Sequence, residues 1–276
     1  GMAASSYPSP VDKLLTYGDI SEMQEVPNYV EELGFSADHI PDLIRMATDK
    51  ELNSADTESL EVWAPVHAVR VLGQLRASEA IPPLINLFHE LDDDWMGSEL
   101  PDVFGMIGPA AIPALEAYVA DSSHESFERT DAATALTRIA QNHPDVRDQC
   151  VTILTNLLER FAENDPDMNA CLIGELVDLK AVESAPVIER AFAANRVVPF
   201  LVGDWGEVQV SLGLKTREEV PLRRFSLEEI SDYYGLGLVR KPRGFATTAS
   251  TPSKNKKKQW DSFIKEKLSS FGFKTV

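Results

Sequence analysis

The sequence predicts an all-α fold: a right-handed α-α superhelix of stacked helix pairs, closed by a helical C-terminal cap. Three observations carry that expectation. Trp63, Trp95 and Phe127 are each 32 residues apart, and so are Leu72, Phe104 and Leu136, nine residues further on. Glycine follows twice, in Leu72-Gly73 and Phe104-Gly105, and then Ala80-Ile81-Pro82-Pro83-Leu84 or Ala111-Ile112-Pro113-Ala114-Leu115. Ile81, Leu84, Ile85 and Phe88 fall at i, i+3, i+4 and i+7, one face of a helix. A fixed period of this length marks supersecondary units that bury their apolar faces against neighbours.

In chain order, residues 1–58 are expected to hold N-terminal helices and a degenerate first repeat. Residues 1–9 are mostly small and polar and read as a frayed terminus. Val11–Tyr17 is a short helix stopped by Gly18. Pro27–Leu33 is a helix with proline in its first turn, where a missing N–H costs little. Leu33-Gly34, a short turn and Ile40-Pro41-Asp42-Leu43-Ile44 then repeat the later pattern in weaker form.

Residues 59–198 hold the clear repeats. The first pairs a helix A over about Leu60–Leu75 with a helix B over about Ala80–Leu91, Pro82 and Pro83 lying in the first turn of B. Asp92-Asp93-Asp94 turns the chain and puts negative charge at the N-terminus of the next A helix, where the macrodipole favours it. The second pair runs through Ala120. The third pairs Arg129–Ala140 with Val146–Phe161, and the fourth Asn169–Leu179 with Pro186–Ala194. Residues 199–239 supply capping helices, one ending near Gly213 and one opened by the capping box Ser226-Leu227-Glu228-Glu229. In residues 240–276 a Pro/Gly/Ser/Thr-rich linker leads to Lys254–Lys258, and Trp260, Phe263, Ile264, Leu268 and Phe271 recur at the spacing of an amphipathic terminal helix.

The short helix A, the tight turn and the Ala-Ile-Pro-x-Leu opening of helix B resemble HEAT-like repeats of the phycobilisome-lyase type. The resemblance covers about residues 27–194, most strongly 60–158. It implies a HEAT/armadillo-like α-solenoid used mostly for protein–protein contact. A minority of that family attaches or removes bilin chromophores. The resemblance transfers no catalytic motif to any residue here.

The net charge of −18 is unevenly spread. Residues 240–276 carry ten Lys/Arg against Asp261 and Glu266, a balance of +8, which leaves −26 on residues 1–239. An acidic body repels nucleic acid and anionic membranes and attracts basic partners. Intramolecular docking of the basic tail on that body is a further expectation. No apolar run approaches the length of a membrane span, and no secretory leader is visible. Two cysteines in this length make no disulfide framework, so Cys150 and Cys171 read as reduced and buried, and the location as cytoplasmic.

Aligning the repeats on Leu72, Phe104 and Leu136 places His67, Glu99 and Asp131 in one polar column, and Arg70, Asp102 and Thr134 in another. Packed helices lie about 8–10 Å apart, so column neighbours can pair. The aromatic series Trp63, Trp95 and Phe127 could present a ladder to a partner or a flat chromophore. Recurrence in register is also what a packing position produces, and burial between successive repeats is the expectation. Asp92, Asp94 and Gly97 imitate part of a calcium loop, but Met96 and Val103 stand where oxygen ligands are required. No metal site is expected, and no cofactor. There is no His-Glu-x-x-His, no Cys-x-x-Cys, no P-loop and no nucleophile elbow. Gly235-Leu236-Gly237 lacks the third glycine of a dinucleotide loop. The expected function is a non-enzymatic scaffold that holds a basic protein partner on an edge made by Asn86, His89, Glu90, Asp92, Asp93 and Asp94. The alternative is a bilin lyase or a chaperone-like carrier for a light-harvesting protein.

Overall fold

The turn between the helices of a pair shows how the repeat is built. After helix A, Arg76 takes the left-handed conformation at φ 52°. The Ala77 amide then donates to the Leu72 carbonyl at 3.0 Å, and the Arg76 amide to the Gly73 carbonyl at 2.9 Å. This closure satisfies carbonyls that the last helical turn leaves open. A 3-10 turn over Ser78–Ala80 follows, and Pro82 and Pro83 stand in the first turn of the next helix. Proline is suited there because its N–H would have no intrahelical partner.

The computed structural model describes residues 6–90, 94–222 and 225–234, and among these every regular element is a helix. Asp92 and Asp93, Gly235-Leu236-Gly237 and the whole tail of 240–276 lie outside the described residues, as does the side chain of Asp94. The chain divides into two compact units, residues 1–150 and 151–276.

In the first unit, α1 (Tyr29–Leu33) is capped by Asn28, whose side chain accepts from the Glu31 amide. It is followed by α2 (Ile40–Ala47) and by α3 (Lys50–Asn53), which Asp49 caps. Three helix pairs then begin. They are α4 (Ala64–Gln74) with α5 (Ile81–Glu90), α6 (Asp94–Ile107) with α7 (Ile112–Ala120), and α8 (Ser126–Asn142) with α9 (Arg147–Glu159), the unit boundary falling inside α9. The A helices form a layer in which α4 packs on α6 and α6 on α8, while α5 packs on α7. The chain turns through 118° between α6 and α7.

Glycine recurs after Leu72 and Phe104 for a steric reason. A Cβ on Gly73 would lie 2.6 Å from Met106 Cε and 3.3 Å from Val103 Cα, and one on Gly105 would lie 2.8 Å from Arg138 Cβ. Each glycine is the point where the next A helix makes its close approach. Leu72, Phe104 and Leu136, one residue earlier in each A helix, are 0% exposed.

One expectation for the N-terminus is corrected. Tyr7 is buried: its hydroxyl donates to Asp49 Oδ2 at 2.6 Å, and the Arg45 guanidinium stacks 4.1 Å over its ring. From Ser6 onward this stretch is therefore packed against the body, because one aromatic ring outweighs its small polar neighbours. Val11–Thr16 is a 3-10 helix, whose three-residue period suits the buried Val11 and Leu14. Pro101 is an exception to the rule that proline opens helices, for it sits inside α6. The residue four before it is Gly97, whose carbonyl receives no helical hydrogen bond from a proline at 101.

The second unit repeats the turn chemistry. Between α10 (Pro166–Asp178) and α11 (Ala185–Ala193), Lys180 is left-handed at φ 54° and the Ala181 amide donates to Leu176 O at 2.9 Å. Asn169 Nδ2 donates to the carbonyls of Phe161 and Arg196, and the Arg196 guanidinium donates to those of Phe161 and Asn164. These bonds seat the chain after α11. Three short helices follow, α12 (Pro199–Val202), α13 (Trp205–Ser211) and α14 (Leu227–Tyr234). The Ser226 hydroxyl accepts from the Glu229 amide at 3.1 Å, the first half of the capping box.

Candidate functional site

The polar column resolves into an internal network. His67 on α4 is fully buried, and its Nε2 lies 2.7 Å from the Gly18 carbonyl and its Nδ1 2.7 Å from the Tyr29 hydroxyl. A carbonyl can only accept, so Nε2 carries the proton and Nδ1 accepts from Tyr29. Burial pushes the His67 pKa down to about 4, and the Arg70 charge adds to that direction. Arg70 Nη1 in turn donates to the Tyr29 oxygen at 3.4 Å. Burial pushes the Tyr29 phenol up to about 12. The Tyr17 ring closes the pocket, 5.5 Å from Tyr29 and 5.4 Å from His67.

The ion pairs run diagonally across the columns. Arg70 forms a fork with Glu99 at 2.6 and 3.0 Å, and Arg138 donates to Asp102 at 3.0 Å. Helical side chains lean toward the N-terminus of their own helix. Each arginine therefore reaches back about one turn, to a carboxylate aligned with an earlier residue. Asp131 is half-buried, and its Oδ2 would lie 3.1 Å from a Cβ on Gly97, against the first turns of α6. The structure thus binds Glu99 to Arg70 and His67 to Tyr29. The alignment missed Tyr29 because it lies before the first clear repeat.

The aromatic series behaves otherwise, and the expectation of burial is corrected. Trp95 is 45% exposed, and Trp63 and Phe127 are half-buried. Trp63 and Trp95 meet edge to face with ring centroids 5.3 Å apart. Leu60, one turn before Trp63, is 54% exposed. These residues stand at the N-terminal ends of successive A helices, where side chains lean past the end of the helix instead of over a neighbour.

At the expected partner edge, Asn86 and Glu90 are exposed and His89 is half-buried on the last turn of α5. His89 Nδ1 lies 3.1 Å from the Tyr118 hydroxyl. The rings of His89, Tyr118 and His124 form a stack, with 4.0 Å between Tyr118 and His124 and 5.0 Å between the two histidines. Burial lowers the His124 pKa; Asp121, 3.4 Å away, opposes that shift, and His89 adds to it. The Tyr118 phenol is held well above its ordinary range by burial, then by Glu128, Asp131, Asp121 and Glu125. Their negative field extends over this edge. Tyr118 and His124 had no signal in the sequence, since neither shares the repeat position of His89.

Among the described residues, no group of three or more His, Cys, Asp or Glu side chains could hold a metal ion. Cys150 and Cys171 are buried, and burial pushes the Cys150 thiol up to about 11, far from a reactive thiolate. No single helix among the described residues is long and apolar enough to cross a membrane.

The layered pairs and their shared turn define an α-helical repeat protein. Residues 65–90, which cover α4 and α5 almost end to end, match the family model of the PBS lyase HEAT-like repeat, so the chain carries a repeat of that type. No curated protein and no solved structure matches the chain.

Proposed function

We propose that the chain is a non-enzymatic scaffold of the cytoplasm that holds a protein partner through a basic segment. The observation that supports this reading is charge. Residues 1–150 contain 27 acidic against 8 basic side chains, and arginines such as Arg70, Arg138 and Arg45 already face carboxylates. The acidic surplus is therefore left to attract an external cation-bearing surface. Asn86, His89, Glu90, Asp92, Asp93 and Asp94 form the edge of the binding surface in this reading. The basic segment 240–276 is an internal competitor for the same acidic charge.

Affinity capture from a native extract at low and high salt tests the proposal. A specific protein should be retained at low salt and released as the Debye length falls to about 3 Å near 1 M salt. Retention that ignores salt would overturn it. The bilin-carrier alternative predicts a shifted visible spectrum when the protein is mixed with a bilin. The buried thiols oppose covalent capture by Cys150 or Cys171.

A further inference from the structure

We infer that Trp63 and Trp95, with Leu60 beside them, are the docking point for an amphipathic basic segment of a partner protein. This rests on the scaffold reading and names where the partner's apolar side chains go. Trp95 keeps nearly half of its surface in water, and Trp63 fixes its orientation from the edge at 5.3 Å. A large ring held in place loses little freedom on binding, which is why tryptophan is enriched among residues that dominate interface energy. Two such rings, with the exposed Leu60 three residues before Trp63, add apolar surface to stretches rich in carboxylates.

The surrounding charge selects the occupant. Glu61 shares a turn with Trp63, Glu58 lies just before it and is exposed, and Asp94 directly precedes Trp95. A lysine or arginine laid over an exposed indole face gains a cation–π contact, while its neighbours meet carboxylates. An acidic segment would meet repulsion at every one of these residues. The acidic body of a second copy, at −26 over residues 1–239, is disfavoured for that reason. A helix with leucine-like residues on one face and lysines on its flanks fits both the rings and the field.

The test measures binding of the full chain to a fluorescein-labelled amphipathic helical peptide of lysine and leucine by fluorescence anisotropy. A scrambled peptide and a glutamate–leucine counterpart serve as controls. The expected result is binding of the lysine peptide alone, weakened about thirtyfold by Trp95→Ala and largely retained by Trp95→Phe. Trp95→Lys, which repels the probe from an exposed position, should abolish binding. Unchanged unfolding midpoints separate these effects from loss of fold.

Wild-type affinity in Trp95→Ala and Trp95→Lys would overturn the inference. If Glu90→Lys with Asp93→Lys abolished binding in that case, the scaffold reading would survive without this docking point. Failure of all three peptides to bind either the wild type or the chain with Lys254, Lys256, Lys257 and Lys258 changed to glutamate would remove both. Two other results would reassign the surface and overturn the partner assignment. One is binding that appears only after Lys254, Lys256, Lys257 and Lys258 are changed to glutamate in the full chain, which marks the chain's own segment as occupant. The other is a dimer that Trp95→Ala dissociates, which marks a second copy.

Discussion

Leu72, Phe104 and Leu136 recur every 32 residues, and so do Trp63, Trp95 and Phe127, yet the two series have opposite fates. The first is sealed in the core. The second lies at the helix N-termini, with Trp95 nearly half in water and its neighbours half-covered. A shared period therefore establishes that positions are equivalent by repeat; it does not establish that they are buried. What decides burial is the place along the helix, because a side chain at mid-helix leans over the turn before it and meets the adjacent A helix.

Truncating one member of each series sharpens that contrast most. Phe104→Ala removes a ring with no exposure that stacks on Phe88 at 5.7 Å, and should cost about 3–5 kcal/mol in urea unfolding. A cost below about 1 kcal/mol would mean that the core series is not the spine of the repeats.

Acid should probe the buried side of the comparison through His67. Its folded pKa of about 4 lies below the ordinary 6.5 that unfolding restores. Above pH 6.5 the ring is neutral in both states. Between 6.5 and 4 the unfolded chain takes up a proton that the folded chain does not, so stability falls as the pH drops, by about 3 kcal/mol from this group. His67→Gln should flatten that part of the stability–pH profile relative to the wild type. Parallel profiles for the two proteins would show that His67 is not held neutral.

Breaking the Arg70–Glu99 fork should have an intermediate effect. Glu99→Gln leaves an almost buried guanidinium without its counter-charge and should destabilise by about 2 kcal/mol. The cost should shrink in an Arg70→Met background, as a double-mutant cycle would show. Additive losses would mean the two side chains stabilise the fold independently.

The smallest effect on stability belongs to Trp95→Ala, which should change the unfolding free energy by less than about 1 kcal/mol. A loss close to that of Phe104→Ala would erase the distinction between the two series.

Much of this architecture is legible in the sequence. The Ile-Pro signature locates the B helices because proline is well tolerated in a first turn, whereas the role of the recurring glycines at the crossings of the A helices shows only in the fold. The capping box at Ser226 was readable because it depends on neighbouring residues alone. Other features depend on contacts between distant residues. The partnership of His67 with Tyr29 and Gly18 spans 38 and 49 residues, and no repeat offset encodes either distance. The diagonal pairing of Arg70 with Glu99 follows from side-chain lean, which a column alignment ignores. Trp95 reads as a core residue in the sequence because its chemistry suits both fates.

The bond from His67 to the Gly18 carbonyl anchors the stretch that begins at Tyr7. That stretch and the weak first repeat pack on α4, the first regular A helix, on which a further repeat could otherwise stack. Repeating modules grow as a one-dimensional crystal grows, by adding identical layers, and such growth stops only where the terminal layer is unlike the rest. Tyr7, Val11, Leu14 and Tyr29 supply that unlike layer and hide their own apolar surface beneath it. The N-terminal strap is thus a chain terminator in the polymer sense: it occupies the flank of α4 on which another layer would otherwise be templated.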